Sequence, residues 1–269
     1  MIEAAYYKPW ILFWICAVLA HGYMDYSFWK KWKSWKRGVQ QTSESSWTFR
    51  TARIWLMEVL IQRQLLGLSF SRWMIHMLIF WGFLCLAALS MFLFILSLAQ
   101  PAGVDAGLRD FFLRGNGHAL VKVWGDFFGL CLLSGLIAAC ARRFIARPHQ
   151  LLNDQGDRAL LIFLLWLVFS GFILEGLRLG RAHPDIARYS FVARFLVPFL
   201  ASGASDAGQW LTAAWIIHSF SGIGLLVYLP RSKLMHSLLG PVVIALNAAE
   251  EPDRKDIYWP RIKYHRPTK

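Results

Sequence analysis

The sequence is poor in charge, and acidic residues are especially scarce: Asp and Glu number 16 in 269 residues, against 29 Lys and Arg. Charged residues make up 17% of the chain and hydrophobic residues 57%, and the mean hydropathy is +0.41. A water-soluble globule of this length needs more polar surface, so the composition excludes one. It also excludes disordered and collagen-like chains.

Cysteine is scarce as well. The four cysteines, at positions 16, 85, 131 and 140, lie in or near apolar runs without CxxC spacing. The sequence therefore encodes neither a zinc site nor a cysteine-held iron-sulfur cluster. It also lacks a P-loop, a GxSxG motif and an HExxH motif, and no segment outside the apolar runs is long enough for a catalytic domain.

Five apolar runs are long enough to cross a bilayer as helices, which takes about 20 residues each. They lie at about 9–25, 73–99, 119–140, 159–178 and 208–230. The sequence predicts an all-α integral membrane protein whose five-helix bundle occupies residues 1–250. The basic segment 251–269 is predicted to be a cytoplasmic tail, and residues 30–72 to contain an inner surface helix.

The distribution of basic residues predicts an outer N-terminus and an inner C-terminus. Twenty-one of the 29 Lys and Arg residues fall on one side of the predicted spans, in 30–72, 142–158 and 231–269. Cytoplasmic loops of membrane proteins carry such an excess. The net charge of +13 therefore indicates membrane topology and contact with lipid rather than binding to nucleic acid.

Histidines in the predicted spans are candidates for chemistry, since ionisable groups are costly inside a membrane. His218 and His236 are eighteen residues apart. On one continuous fifth helix they would share a face, about 27 Å apart. His76 begins the second span at the inner depth predicted for His236. Two imidazoles from facing helices are the ligands of a bis-histidine haem b, so the pattern predicts an inner haem held by His76 and His236.

Basic residues at suitable spacing support that inner site. Arg72 precedes His76 by one turn, and Arg231 and Lys233 precede His236 by about one turn. Their side chains are expected to pair with the haem propionates. The alternative is that these histidines only form hydrogen bonds between helices.

An outer haem would use His218, and the residues alone leave its partner open. His118 enters the third span at about the right depth and is the preferred ligand, while Met91 in the second span would give a His/Met haem. His118 could otherwise be an ordinary histidine at a helix start. We expect two haems, with one as the minimum. The remaining histidines are expected to be solvated or structural: His21, His149, His183 and His265.

Three further charged residues lie in or near the spans. Lys122 and Asp126 are spaced as an i, i+4 pair and are predicted to neutralise each other. Glu175 precedes Arg178 by one turn at the outer end of the fourth span. It is either an interfacial ion-pair partner of Arg178 or a proton relay at an outer quinone pocket.

These residues resemble a known family. The run HSFSGIGLLVYLPRSKLMH, residues 218–236, resembles the fifth helix of the gamma subunit of respiratory nitrate reductases, a dihaem cytochrome b. The stretches RWMIHMLIFWGF and SGFILEGLRL are similar to a sister group, the cytochrome b subunits of membrane redox complexes in sulfate reducers. Those subunits are associated with sulfite reduction or periplasmic cytochrome c.

The resemblance implies an electron-transfer subunit of a quinone-linked oxidoreductase in the bacterial inner membrane. Electrons would pass between menaquinone and a cytoplasmic iron-sulfur subunit that resembles heterodisulfide reductase, with a periplasmic multihaem cytochrome c as a further partner. One departure matters: the nitrate-reductase type has a second histidine ten residues after the first on its second helix, where this chain has Leu86. The inner ligands therefore carry over to His76 and His236, but the outer site carries over only to His218.

Two other functions compete with this one. A non-redox transporter or channel would line its path with Lys122, Asp126 and Glu175, but the sequence has no evident inverted repeat. A purely structural anchor would use the basic inner segments, and it would leave the histidines in the spans without a role.

Overall fold

Helices form all the regular secondary structure in the residues that the computed structural model describes, which are 3–38, 48–98, 106–113, 115–146, 155–179, 188–200 and 207–250. The all-α prediction is confirmed. The predicted tail 251–269 lies outside the described residues, as do His149, His183 and His265.

Ten α-helices follow one another in the described chain. They are α1 Glu3–Gly38, α2 Phe49–Trp55, α3 Arg63–Leu68, α4 Phe70–Leu98, α5 Ala106–Leu113, α6 Gly117–Cys140, α7 Gln155–Leu179, α8 Val197–Leu200, α9 Ala207–Tyr228 and α10 Met235–Glu250. Wider π-helical turns follow α2 at Leu56–Leu60 and α6 at Ala141–Ala146, and 3-10 turns lie at Ala193–Phe195 and Leu229–Arg231.

Five of these helices are long and apolar enough to cross a membrane: α1, α4, α6 with its π-helical extension, α7 and α9. The prediction of five spans is confirmed, and the chain is a multi-pass membrane protein. Large apolar side chains such as Leu19 and Phe127 are exposed on these helices, as expected for residues that face lipid. The orientation with the N-terminus outside stays a prediction.

The first of two compact units comprises residues 1–22 and 75–228. Small residues bring α4 and α6 together within it, because a Cβ atom on Gly82 would lie 2.6 Å from the backbone nitrogen of Leu132. Gly135 faces Ile79 of α4 just as closely, with 2.8 Å from its Cβ position to Cγ1. Glycine at such positions lets membrane helices approach backbone to backbone.

The second unit comprises residues 23–74 and 229–269. Side-chain donors reach backbone carbonyls here: Trp55 Nε1 of α2 donates to Pro241 O of α10 at 2.9 Å, and Lys31 Nζ donates to Pro230 O at 2.7 Å. Helices α2 and α3 lie in the stretch where the sequence predicts an inner surface helix. Their position at the membrane surface stays a prediction.

The prediction of one continuous fifth helix through His218 and His236 is wrong. Helix α9 ends at Tyr228, a 3-10 turn follows, and α10 begins at Met235. Pro230 explains the break, since proline has no N–H to donate and its ring clashes with the preceding turn of an α-helix. His218 and His236 therefore lie on different helices, and the five-turn spacing no longer places them on one face.

Candidate functional site

His218 lies on α9 inside the first unit, and its ring is held by α7. The Nδ1 atom is 2.9 Å from Ser170 Oγ, which lies 3.0 Å from the backbone oxygen of Leu167. Because the single hydroxyl hydrogen of Ser170 is donated to Leu167 O, its oxygen accepts the Nδ1 hydrogen of His218. The pattern assigns the proton to Nδ1 and leaves the lone pair on Nε2, the arrangement of a histidine that ligates a metal.

Close packing keeps α7 and α9 in this register. A Cβ atom on Gly171 would lie 3.1 Å from Cε1 of His218, so glycine is what lets the imidazole lie against the α7 backbone. About one turn further along α9, Ser221 Oγ accepts from Trp166 Nε1 of α7 at 3.4 Å. The imidazole is thus positioned by contacts on both sides of Ser170.

The register of α6 against α7 shows which residues lie at the depth of His218. A Cβ atom on Gly129 would lie 2.8 Å from Cζ of Phe172, two residues beyond Ser170. His118 is eleven residues from Gly129 along α6, or about 16 Å at 1.5 Å per residue. Its Nδ1 donates to the backbone oxygen of Phe112 at 3.2 Å. The pairing of His118 with His218 as haem ligands stays a prediction.

Helix α4 presents no histidine at this depth. Because Gly82 lies against Leu132, and Trp124 Nε1 donates to Cys85 O at 3.3 Å, Leu86 lies at about the level of Gly129. Met91 is five residues beyond Leu86, about 7 Å along the helix. The position that carries a second histidine in the nitrate-reductase type is therefore at the depth of His218 but holds leucine here.

Charged residues of α6 and α7 pair with each other on the predicted outer side of His218. Lys122 Nζ forms an ion pair with Glu175 Oε1, and Arg178 Nη1 lies 3.8 Å from the other carboxylate oxygen, Oε2. Lys122 is 7% exposed and Glu175 19%. The predicted pair of Glu175 with Arg178 is present, and the carboxylate is shared between two cations.

Asp126 has a different role from the one predicted. Its Oδ2 accepts hydrogen bonds from Ser190 Oγ at 3.0 Å and from the Val192 backbone N–H at 2.7 Å. The prediction that Lys122 and Asp126 neutralise each other is wrong, because Glu175 supplies the lysine with a partner from a neighbouring helix. Asp126 instead holds residues 188–200 against α6 through these hydrogen bonds.

The predicted inner ligands belong to different units. In the first unit, the His76 ring lies 6.4 Å from that of Phe80, with an interplanar angle of 28°. In the second, His236 lies at the start of α10 and its Nδ1 is bonded to the backbone oxygen of Lys233. An Nδ1 held by a carbonyl leaves Nε2 of His236 as the nitrogen able to ligate. Their joint role in an inner haem stays a prediction.

The basic residues predicted at the propionates are also in the second unit. The Arg231 guanidinium lies 5.7 Å from the centre of the Tyr23 ring, on the predicted inner side. Arg231 and Lys233 are exposed, as is Arg72 at the start of α4. Their contact with propionates stays a prediction.

No cluster of three or more His, Cys, Asp and Glu side chains able to hold a metal ion occurs among the described residues. A haem iron needs only one or two axial ligands from the protein, so this finding concerns free metal ions and not haem.

Sequence reasoning missed Ser170 and Gly171. Their signal is a hydroxyl and a glycine side by side in the middle of an apolar span. Only the structure shows that both face His218, because a serine in a span often bonds to a carbonyl of its own helix and to nothing else.

Comparison with known proteins places most of these residues in one family. Residues 106–248 match the nitrate reductase gamma subunit family, a stretch that includes His118, Glu175, His218 and His236. His76 lies outside the matched stretch.

Individual relatives cover more of the chain. A subunit of the dihydromethanophenazine:CoB--CoM heterodisulfide reductase of Methanosarcina barkeri is 28% identical over 203 residues, which are 74% of this chain and 67% of the relative. The corresponding subunit of Methanosarcina thermophila is 27% identical over 199 residues, again 74% of this chain and 67% of the relative. No solved structure matches the chain. Since the family match covers more than half of its length, the chain belongs to the nitrate reductase gamma subunit family.

Proposed function

We propose that this chain is a haem b subunit that carries electrons across the membrane between menaquinone and a cytoplasmic iron-sulfur partner. Family membership and the five spans make it a membrane subunit of a redox complex. We further propose that it binds haem, reacts with menaquinone and contacts an iron-sulfur partner.

The main support for the proposal is the hydrogen bonding and packing of the His218 ring. A histidine inside a membrane span is costly, which makes it a candidate for a function. The Nδ1 atom of His218 is bonded to Ser170, and Nε2 makes no hydrogen bond to the described residues. Gly171 supplies the close fit that orients the ring. These residues fit an axial haem ligand, and a haem held there would supply one-electron redox chemistry. We assign His76 and His236, with Arg72, Arg231 and Lys233 at the propionates, to a second haem.

The names of the relatives support the choice of partners. Both are subunits of a heterodisulfide reductase that uses dihydromethanophenazine. We propose that this chain likewise delivers electrons to, or receives them from, an inner subunit that resembles heterodisulfide reductase. For the membrane carrier we propose menaquinone. A bacterial inner membrane and a periplasmic multihaem cytochrome c complete the proposal, although these relatives come from archaea.

Glu175 is the proposed proton relay for the quinone. Oxidation of a quinol releases two electrons and two protons, and the protons need an acceptor near the site. Glu175 is a partly buried carboxylate at the predicted outer end of α7, beside the exposed Arg178. A proton on Glu175 would leave the buried Lys122 cation without its counter-charge, so the proton would be held briefly and passed outward. Lys122 and Arg178 would orient the carboxylate between transfers.

Quinol-driven haem reduction tests this proposal. The purified protein is mixed with a reduced menaquinone analogue, and the appearance of the b-type spectrum is followed in wild type and in Glu175→Gln. Loss of an acid-base group slows such steps by about 100-fold or more, so the variant should be reduced at least that much more slowly by quinol and normally by dithionite.

Two further variants make the test specific. Lys122→Gln combined with Glu175→Gln restores charge balance, and haem reduction by quinol should remain slow in this double variant. Asp157→Asn removes a carboxylate that pairs with Arg143 at the other end of α7, and its haem should be reduced at the wild-type rate. Rapid reduction of Glu175→Gln by quinol would exclude the relay. No haem spectrum in the wild type would overturn the whole proposal.

A further inference from the structure

We propose that Ser170 is a positioning residue that sets the electron donation of His218 and the plane of its ring, and so tunes the redox potential of the haem that His218 binds. This inference rests on the proposed function. Ser170 contacts the imidazole of His218 and would act on a haem through it.

The hydrogen bonds around Ser170 run in one direction. Ser170 Oγ has one hydrogen, which Leu167 O accepts at 3.0 Å, and so Oγ is the acceptor for Nδ1–H of His218 at 2.9 Å. The chain from the Leu167 carbonyl through the hydroxyl to the imidazole is therefore polarised. Electron density is moved toward Nε2, the nitrogen available to a metal.

The contact between Ser170 and His218 is buried. Ser170 is 6% exposed, so solvent does not compete for the hydroxyl. Gly171 brings the α7 backbone against Cε1 of His218, and a Cβ atom there, 3.1 Å from Cε1, would require the ring to shift by a few tenths of an ångström. The bond between Ser170 and His218 therefore has a fixed geometry and fixes the rotation of the imidazole about its Cβ–Cγ bond.

Another serine in the spans, Ser134, makes no hydrogen bond to a histidine of the described residues. Its Oγ donates to Leu130 O at 2.7 Å, four residues back on the same helix. Ser134 is also exposed. It offers a matched control, since its removal deletes the same chemical group without affecting a histidine.

The hydrogen bond to Ser170 is expected to change the potential of the iron. An imidazole that donates its second N–H to an oxygen is a stronger donor and stabilises the oxidised metal more than the reduced one. Axial ligands and their hydrogen bonds are among the factors that set haem potentials. Removal of the Ser170 hydroxyl should therefore raise the midpoint potential of one haem.

The test is a redox titration of the intact purified protein, together with the electron paramagnetic resonance spectrum of its oxidised form. We expect Ser170→Ala to keep the haem content, to raise one midpoint potential and to alter one low-spin ferric signal. Ser134→Ala should match wild type, and Ser170→Thr, which keeps a hydroxyl, should restore the potential. Unchanged potentials and spectra in Ser170→Ala would overturn the inference.

Loss of a haem in Ser170→Ala is also decisive. If Ser170→Thr then retains that haem at the wild-type potential, the hydroxyl is required and the inference holds. If Ser170→Thr loses it too, a hydroxyl at this position does not preserve the site and the inference fails. His218→Ala separates this inference from the proposed function. A variant that keeps every haem would refute His218 as a ligand, whereas loss of one haem with no effect of Ser170→Ala would refute only the role of Ser170.

Discussion

Lys122 of α6 and Glu175 of α7 form an ion pair within the membrane-spanning part of the first unit. The lysine is 7% exposed, and Glu175 reaches it across the interface between two helices. Two charges in such a setting are tolerated because each compensates the other, and removal of one leaves the other buried alone.

Removing one member of this ion pair should destabilise the protein more than removing both members. We expect Lys122→Met to lower the free energy of unfolding by about 3–5 kcal/mol, because it leaves the Glu175 carboxylate without its main partner. The double variant with Glu175→Leu should recover most of that loss. Thermal unfolding in detergent measures both, and losses that simply add in the double variant would show that the pair is not coupled.

Asp126 should control the stability of the outer segment. Its carboxylate accepts from Ser190 and Val192, so Asp126→Ala removes two hydrogen bonds that hold residues 188–200 against α6. Trypsin should then cleave after Arg188 or Arg194, both exposed, several times faster than in wild type. Asp157→Ala, at the opposite end of the spans, serves as the control. Equal cleavage rates in Asp126→Ala and wild type would argue against this anchor.

Gly82 should tolerate no side chain. A Cβ atom there would come within 2.6 Å of the Leu132 backbone, which cannot move without separating α4 from α6. We expect Gly82→Ala to cost about 1–3 kcal/mol. Gly22→Ala is the control, since no heavy atom of the described residues, apart from its chain neighbours and the nearby backbone of its own helix, lies within 4 Å of its Cβ position. The thermal midpoints of the two variants test this, and equal midpoints would contradict the close approach.

Glu58 should make the stability of the second unit depend on pH. It lies in the π-helical turn after α2, is 8% exposed, and burial raises the pKa of its carboxyl above the ordinary value. A raised pKa in the folded state stabilises the fold at low pH, and this contribution is lost as the pH rises through the folded-state pKa.

Glu58→Gln mimics the protonated carboxyl and should therefore be more stable than wild type at neutral pH. A gain of about 1 kcal/mol would raise Tm by roughly 2–4 °C, and it should shrink toward zero as the pH approaches 4. Asp25→Asn, at an exposed carboxylate of the same unit, controls for the change from a carboxyl to an amide. A gain independent of pH would rule out titration of Glu58 as the cause.

The sequence was sufficient to predict the five spans, since a run of about 20 apolar residues has few alternatives to a membrane helix. It could not predict the break at Pro230, because proline is tolerated in some membrane helices where neighbours satisfy the freed carbonyls. It also misassigned the partner of Lys122. Spacing along one helix suggested Asp126, but a long lysine side chain can equally reach a neighbouring helix.

The candidate site could be predicted only in outline. A histidine in an apolar span made His218 a candidate functional residue, while its contacts with Ser170 and Gly171 depend on how α7 packs on α9. The depth of His118 shows the same limit. The register of α6 on α7 depends on contacts such as that of Gly129 with Phe172, and Gly129 lies about 16 Å from His118 along α6. The pairing of His118 with His218 stays a prediction.

The most direct test of haem ligation by His218 is the reduced-minus-oxidised visible spectrum of the purified protein, with haem quantified per chain in wild type and in His218→Ala. We expect a b-type α-band in wild type with two haems per chain, and loss of one haem in the variant. Absence of the α-band in wild type, or an unchanged haem content in His218→Ala, would contradict the proposed function.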